Sequence, residues 1–486
     1  MKFMNTVTGV ILMSVVSARA EIKMPAFFSD GMVLQQEIGA KVWGFGVTGE
    51  TVNVEFSGQK LNATTSDDGK WEVNFKDLKA SKIGQVLTVS SGGEKREIKN
   101  VLVGEVWIAS GQSNMEWTMN KTHSAAEAKI AKDELLRIYV TKNITAVSPA
   151  KDFAGNWKET DPKNNGRFTA VGYEYAKVLR ERLDVPVGII ECAWGGKPVE
   201  AFTRDEAFRK IPEAKNLVVK KEGLMKQWKK LREAKEPKPT KMKNPELNDR
   251  LHSTIYNGMI APIAGYGARG VIWYQGESNA NPESANHYGE LLKGMILDWR
   301  VQWGSELSFY YVQLANYNRS KKDGPLWVTV QDEMRRLLDE CPRVGMAVIN
   351  DIGDAKDIHP KNKKDVADRL ARWALSKDYG VEKVVLSGPL YKSHKIVNDG
   401  LQLEVSFEHA VGLSARGGKE PGGFELQDME GNWKSAKAMI KAGKVIVSHS
   451  DIKKIKNVRY AWQSNPKSAN LVNAEGLPTS CFIGEE

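Results

Sequence analysis

Four short segments of the chain combine chemically active side chains with the small residues that let a substrate approach them. They are Ser110-Gly111-Gln112-Ser113-Asn114-Met115-Glu116-Trp117, Ala193-Trp194-Gly195-Gly196, Gln275-Gly276-Glu277-Ser278-Asn279 and DIGDAKDIHP from Asp351 to Pro360. A serine in a Gly-flanked turn presents its hydroxyl without steric cover, and that hydroxyl becomes a nucleophile once a base takes its proton. Of the seven histidines, His359 is the one that follows a predicted sheet strand in this way, with Asp357 two residues before it and within reach of an imidazole. The chemistry that suits these residues is acyl transfer: Ser113 as nucleophile, His359 as general base and then acid, and a carboxylate holding the ring. A developing oxyanion needs fixed donors. The candidates are the backbone N–H groups of Ser113 and Gly196 and the side chain of Gln275 or Asn114, with Gly195 and Gly196 small enough for amides to approach closely.

Each segment also has a plain structural reading. Ser113 is then a turn serine, the glycine pair a turn, His359-Pro360 a helix entry and Glu277 a helix cap. The four segments carry weight together because each follows a predicted strand, and in open α/β sheets ligands bind outside the carboxyl ends of strands. Gly-x-Ser-Asn-Met is not the Gly-x-Ser-x-Gly nucleophile elbow. The chain has no His-Glu-x-x-His, no Cys-x-x-Cys and no Gly-rich phosphate or dinucleotide loop after the first strand of this region, so no metal and no cofactor is expected.

The positioning elements come from the central part of the chain. Apolar runs at Glu105–Ala109, Val187–Cys192, Val271–Tyr274, Phe309–Leu314 and Gly345–Asn350 predict strands. Val171, Tyr175, Val178, Leu179 and Leu183 share one helical face, as do Val366, Leu370 and Trp373. Alternating strands and helices predict βαβ units on a mostly parallel sheet over residues 104–384. Residues 21–103 read as a sandwich-like all-β module, with a hairpin turn at Asp67-Asp68-Gly69-Lys70, and residues 385–486 read as a second β-rich module. A Lys-rich insertion, about 209–250, holds an exposed helix at Lys220–Lys235 and a Glu236–Pro239 linker.

Composition bounds the rest. The chain has 486 residues, 41% of them hydrophobic and 27% charged, which excludes wholesale disorder and implies two or three domains. Lys+Arg 70 against Asp+Glu 60 gives a net charge of +10. Its most basic stretch, Arg209 to Arg250, is broken by Glu213, Glu222, Glu233, Glu236 and Asp249, which speaks against nucleic-acid binding. At the N-terminus Lys2, the apolar run Val7–Val16 and Ala18-Arg19-Ala20 match a cleavable signal peptide over residues 1–20. The expectation is export to the periplasm or the extracellular space, with no membrane span after cleavage. Cys192, Cys341 and Cys481 read as small buried residues.

At the four segments the sequence resembles the sialate O-acetylesterase family of SGNH (GDSL-like) hydrolases, related to carbohydrate acetyl esterases acting on xylan. The likeness rests on Gly111-Gln112-Ser113-Asn114-Met115, Trp194-Gly195-Gly196, Trp273-Tyr274-Gln275-Gly276-Glu277-Ser278-Asn279 and Asp357-Ile358-His359-Pro360, and extends to Tyr256-Asn257-Gly258-Met259-Ile260 and Phe28–Gln35. It implies a flavodoxin-like three-layer α/β/α hydrolase domain with flanking all-β modules and no cofactor. It also implies Ser113 as nucleophile, His359 as base and an O-acetylated sugar or glycan as substrate. Gln112 and Trp194 join Gly195, Gly196, Gln275 and Asn114 as expected oxyanion or substrate-binding residues. Trp117, Trp194 and Trp273 are aromatics near the crevice that could stack on a sugar face, with buried core packing the first reading of Trp273. In such enzymes the acid commonly lies three residues before the histidine; here that position is Lys356, so Asp357 is ranked first and Glu277 close behind as the ring's partner. Lys197 and Phe202 stand where many relatives have Thr and Trp, which bears on the acyl or sugar pocket. The expected activity is a secreted carbohydrate O-acetylesterase, with sialate 9-O-acetyl esters as first substrate. Acetylated xylan or another polysaccharide is the alternative substrate, and a catalytically silent carbohydrate-binding protein the alternative class.

Overall fold

The computed structural model describes residues 22–233 and 244–485. The leader over residues 1–20 and the Glu236–Pro239 linker lie outside the described residues. The central sheet is built from β1 (Glu94–Gly111), β2 (Asp133–Thr141), β3 (Gly155–Thr160), β4 (Val187–Ala193), β5 (Gly270–Tyr274), β6 (Ser308–Val312) and β7 (Val344–Ala347), in the order β7-β6-β5-β1-β4-β2-β3. Neighbours are parallel except β3, which returns antiparallel to β2. Five helices matter below: α1 (Ala170–Leu183), α2 (Lys215–Glu233), α3 (Tyr288–Trp303), α4 (Leu326–Glu340) and α5 (Lys363–Lys377).

Successive strand residues point to opposite faces, so a sheet buried on both sides reads as an unbroken apolar run. Val106 and Ile108 of β1 join the core under α3 and α4, with Trp299, Trp327 and Met334. Trp107 and Ala109 join the core under α1 and α5, with Tyr175, Leu179, Leu370 and Trp373. The result is a three-layer α/β/α domain. The sequence reading did not predict β2 and β3. β2 opens on Asp133-Glu134, its first residues are half-exposed, and β3 is a sheet edge with exposed and half-buried polar residues.

β1 runs for 18 residues across the expected 103/104 boundary. Its first part pairs antiparallel with the Ser81–Ser91 strand, and Glu105 to Gly111 lie between β4 and β5. The Asp67–Lys70 turn closes a Ser66 N–H to Lys70 carbonyl bond but makes no hairpin. The strand before it, Gln59–Thr64, pairs with Thr51–Phe56, whereas Lys70–Phe75 pairs with Ala40–Phe45. At the other end of the chain, two four-stranded antiparallel sheets pack through Leu403, Val405, Leu426, Val447, Val458 and Phe482. α2 buries none of its residues. Cys192, Cys341 and Cys481 are buried and unpaired. Among the described residues no helix is long and apolar enough to cross a membrane.

A buried charge ties the N-terminal strands to the hydrolase layer. Glu105, fully buried at the start of the parallel part of β1, accepts two bonds from Arg269, at 2.7 and 3.0 Å. It also accepts from Gln35 at 3.1 Å, Gln36 at 2.7 Å and the Tyr379 hydroxyl at 2.9 Å. Removing one partner of a buried ion pair leaves an uncompensated charge, which costs about 3–5 kcal/mol. Arg269→Met is therefore expected to lower the unfolding free energy by about that amount. Chemical denaturation measures it; a loss below about 1 kcal/mol would mean the three neutral donors alone hold the carboxylate.

Candidate active site

The carboxyl ends of β4, β1 and β5 lie side by side, and the turn after β1 is held between its neighbours. Trp194 N–H donates to the Gly111 carbonyl at 3.0 Å, and Gln112 N–H to the Tyr274 carbonyl at 2.9 Å. Gly111 adopts φ +134°, and a Cβ there would lie 2.2 Å from the Tyr274 carbonyl oxygen, so the close approach requires glycine. Ser113 then opens a single helical turn, Ser113–Glu116. Thr169, the N-cap of α1, donates from its hydroxyl to the Met115 carbonyl at 2.6 Å, fixing that turn to the helix layer.

His359 arrives on the long connection from β7 to α5. Arg369 of α5 grips Asp351 in this loop through two bonds, at 2.6 and 3.0 Å. Asn316 accepts from Gly353 N–H at 2.8 Å, and Asn318 N–H donates to the Ala355 carbonyl at 3.1 Å. The loop delivers His359 Nε2 to 2.9 Å from Ser113 Oγ, across 246 residues of sequence. Asp357 folds back as an Asx turn, accepting the His359 backbone N–H at 2.9 Å. The same oxygen lies 3.5 Å from His359 Nδ1. This turn is why a carboxylate two residues before the histidine reaches the ring while Lys356 stays exposed. Trp117 stacks on the imidazole, with centroids 4.3 Å apart and planes at 11°, and Lys121 sits 4.8 Å from the Trp117 ring centre. Burial pushes the His359 pKa down, the Asp357 carboxylate pulls it up and the Lys363 ammonium pushes it down again, with the balance below 6.5.

Other expected site residues have different positions. Glu277 does not touch the imidazole; its Oε1 accepts from Asn114 Nδ2 at 2.7 Å. Asn114 is no free oxyanion donor. Its amino group is spent on Glu277 and on the Ile358 carbonyl at 3.0 Å, and its Oδ1 accepts from Lys363 Nζ. Gln275 is fully buried: Nε2 donates to Gln112, Lys197 and Asn279, and Oε1 accepts from Tyr288. It therefore has no hydrogen left for a substrate. Gly195 N–H donates to Glu116 Oε2 at 2.7 Å and is likewise committed. By contrast, the N–H groups of Ser113 and Gly196 and the Nε2 of Gln112 carry no hydrogen bond among the described residues. The Gln112 Oε1 accepts from Gln275 and from Ser278 N–H.

At the rim Lys197 is neutralised by Asp249, whereas Arg250 has no carboxylate partner among the described residues. Trp194 is half-buried, with Lys197 Nζ 5.1 Å from its ring centre and Lys197 paired to Asp249 at 2.9 Å. Arg250 donates to the Gly196 carbonyl at 2.7 Å. Trp273 and Phe202 are fully buried against each other in the core. Sequence reasoning assigned no role to Glu116 or Lys363. Glu116 lies in the quoted Ser-Asn-Met-Glu segment, one helical turn after Ser113, where a side chain falls back beside it. Lys363 gives no such signal, because it reads as half of a surface Lys363-Lys364 pair. Among the described residues no three His, Cys, Asp or Glu side chains are grouped to hold a metal.

Residues 103–375 match the family described as carbohydrate esterase, sialic acid-specific acetylesterase. Sialate O-acetylesterase of Rattus norvegicus is 27% identical, over 91% of this chain and 90% of its own length. The Homo sapiens sialate O-acetylesterase is 28% identical, over 80% of this chain and 77% of its own. A crystal structure of a carbohydrate acetylesterase from Xanthomonas citri superposes with a TM-score of 0.83 at 33% identity, covering 96% of this chain and 100% of that one. For the ring beside Ser113, the expected titration of His359 followed by NMR has its midpoint below 6.5. Asp357→Asn removes the upward pull and moves the midpoint lower still. A midpoint unchanged by that substitution would show that Asp357 exerts no field on the ring.

Proposed function

The chain belongs to the sialic acid-specific acetylesterase family of carbohydrate esterases and is a carbohydrate O-acetylesterase, and on that premise we propose that it cleaves its ester through a Ser113 acetyl-enzyme. The observation that carries this reading is the 2.9 Å separation between Ser113 Oγ and His359 Nε2. Ser113 Oγ attacks the acetyl carbonyl as His359 Nε2 takes its proton. The negative charge on the former carbonyl oxygen is met by the uncommitted N–H groups of Ser113 and Gly196 and by Gln112 Nε2. Each well-placed donor of this kind is worth about 3–4 kcal/mol in the barrier. The imidazolium returns its proton to the sugar oxygen, the C–O bond breaks and the sugar alcohol departs, leaving acetate esterified to Ser113. Water, deprotonated by His359, attacks the acetyl group, and acetate leaves as Ser113 regains its proton.

Asp357 fits the role of the carboxylate facing Nδ1, stabilising the imidazolium formed in both halves of the cycle. Trp117 holds the ring plane from one face. Arg250, beside Gly196 and without a carboxylate partner among the described residues, suits a sugar that carries a carboxylate, which favours sialate over neutral xylan as the natural acetyl bearer. The signal-peptide pattern supports action outside the cytoplasm, in the periplasm or beyond the cell.

Ser113→Ala is expected to reduce hydrolysis of an aryl acetate by about 10⁴-fold or more. Retention of the wild-type rate would remove Ser113 from the mechanism. Because neutral His359 is the base, kcat/KM should fall with decreasing pH only below 6.5, following the lowered imidazole pKa. A rate independent of pH from 4 to 8, pH values chosen to span the ordinary carboxylate and imidazole ranges at about 4 and about 6.5, would exclude His359 as base. Acetate release from 9-O-acetylated sialosides compared with acetylated xylans decides the substrate; a preference for xylan would overturn the sialate assignment.

A further inference from the structure

Beneath the Ser113–His359 pair lies a buried group of ionisable side chains that the proposed chemistry does not use. Asn114 follows Ser113, and Ile358 precedes His359. The Asn114 amino group donates to the Ile358 carbonyl at 3.0 Å, and Ser113 Oγ meets His359 Nε2 at 2.9 Å. Two adjacent pairs thus join the nucleophile turn to the histidine loop in register. Asn114 is itself held at both ends. Its amino group also reaches Glu277 Oε1 at 2.7 Å, and its carbonyl oxygen accepts from Lys363 Nζ. Asn114 and Lys363 are both at most 1% exposed. Glu277 Oε2 is buried without a hydrogen-bond partner, and the Lys363 ammonium also lies 5.1 Å from the Tyr274 ring centre.

We propose that Asn114 is a positioning residue for ester hydrolysis, setting the His359 loop against Ser113, and that Glu277 and Lys363 act through it by fixing which end of its amide faces Ile358. The physical reason is polarity. A carboxamide turned by half a rotation would aim its oxygen at the Ile358 carbonyl and the Glu277 carboxylate, and its hydrogens at an ammonium. Opposite charges at its two ends forbid that alternative, and charge-assisted hydrogen bonds are the stronger kind. Burial works against both charges, raising the Glu277 pKa and bringing that of Lys363 down to about 7, so the two groups are retained at a cost the fold offsets elsewhere. Neither group reaches the imidazole or the attacked carbonyl by a hydrogen bond of its own. Because the Lys363 ammonium also lowers the His359 pKa, rates are compared on the alkaline plateau of each variant's pH profile, where the imidazole is neutral and the remaining effect passes through geometry.

This inference rests on the Ser113 nucleophile, and the experiment separates the two. An aryl fluorophosphonate labels an activated serine and titrates active sites. In Glu277→Leu, kcat for an aryl acetate, per labelled site, is expected to fall by roughly 100-fold, the scale of a 1 Å misplacement, with KM within about twofold. The rate of Ser113 labelling should fall in parallel. Glu277→Gln, which keeps an acceptor for Asn114, should recover at least about tenfold of that loss, and Lys363→Met should show the Leu phenotype. Because both act through one amide, the double variant Glu277→Leu with Lys363→Met should lose little beyond the worse single change. A merely structural role would lower the melting temperature and the number of labelled sites while leaving kcat per site at the wild-type value, and that result overturns the proposal. So does multiplication of the two losses in the double variant. If Glu277→Leu fails to fold, Lys363→Met and Glu277→Gln carry the same comparison. Wild type that does not label at Ser113 refutes the serine reading; wild type and Glu277→Leu labelling at equal rates refute only this one.

Discussion

A hydroxyl and an imidazole can share a proton only at hydrogen-bond distance, and here the two groups come from the middle and the edge of a seven-strand order. Ser113 follows β1 near the middle of the sheet, while His359 follows β7 at its edge. The connection from β7 must cross the ends of β6 and β5 to deliver the ring. That constraint accounts for much of what surrounds the loop. The Arg369–Asp351 pair, the Asn316 and Asn318 contacts, and the Asn114–Ile358 bond each remove freedom from a segment with little regular structure of its own. Trp117 completes the restraint by covering one face of the imidazole.

The second organising fact is the division of donors at the rim into spent and unspent. Gly195 spends its backbone N–H, and Asn114 and Gln275 their side-chain amino groups, on neighbouring protein oxygens. Ser113, Gly196 and Gln112 keep donors free next to the nucleophile turn. The spent donors are what make the unspent ones rigid. Glu116, by gripping the Gly195 N–H, and Arg250, by holding the Gly196 carbonyl, fix the peptides on either side of the one that carries the Gly196 N–H. Donors set in advance need no reorganisation when charge appears.

Much of this was legible from residue order. Strands buried on both faces are unbroken apolar runs, so β1, β4, β5, β6 and β7 announced themselves, and with them the four loops that follow β1, β4, β5 and β7. The half-exposed strands β2 and β3 did not, since Asp133-Glu134 and the polar residues of an edge strand mimic a loop. At the site, residue type disclosed what each side chain is able to donate or accept, but not where it points. Asn114 and Gln275 looked like oxyanion donors because both carry amino groups; the neighbours that consume those groups come from Ile358, Lys197 and Asn279, distant in sequence or unmarked in it. Glu277 had the right chemistry for a ring partner and the wrong reach. Asp357 stood one position away from the usual spacing, and only the Asx turn, a backbone feature, brings it back to the ring. Lys363 was invisible, since nothing in a Lys-Lys pair reveals that one member is interred.

The 18-residue β1 has a further meaning for how the molecule responds to stress. Its first half is a rung of the N-terminal β-structure and its second half is the spine of the parallel sheet, ending two residues before the nucleophile. Such a ribbon is a common girder rather than a hinge. Although its partner strands change along its length, the strand itself holds no slack linker between the leading β-structure and Ser113. The terminal β-layer, though remote from the reacting atoms, is thereby mechanically in series with them.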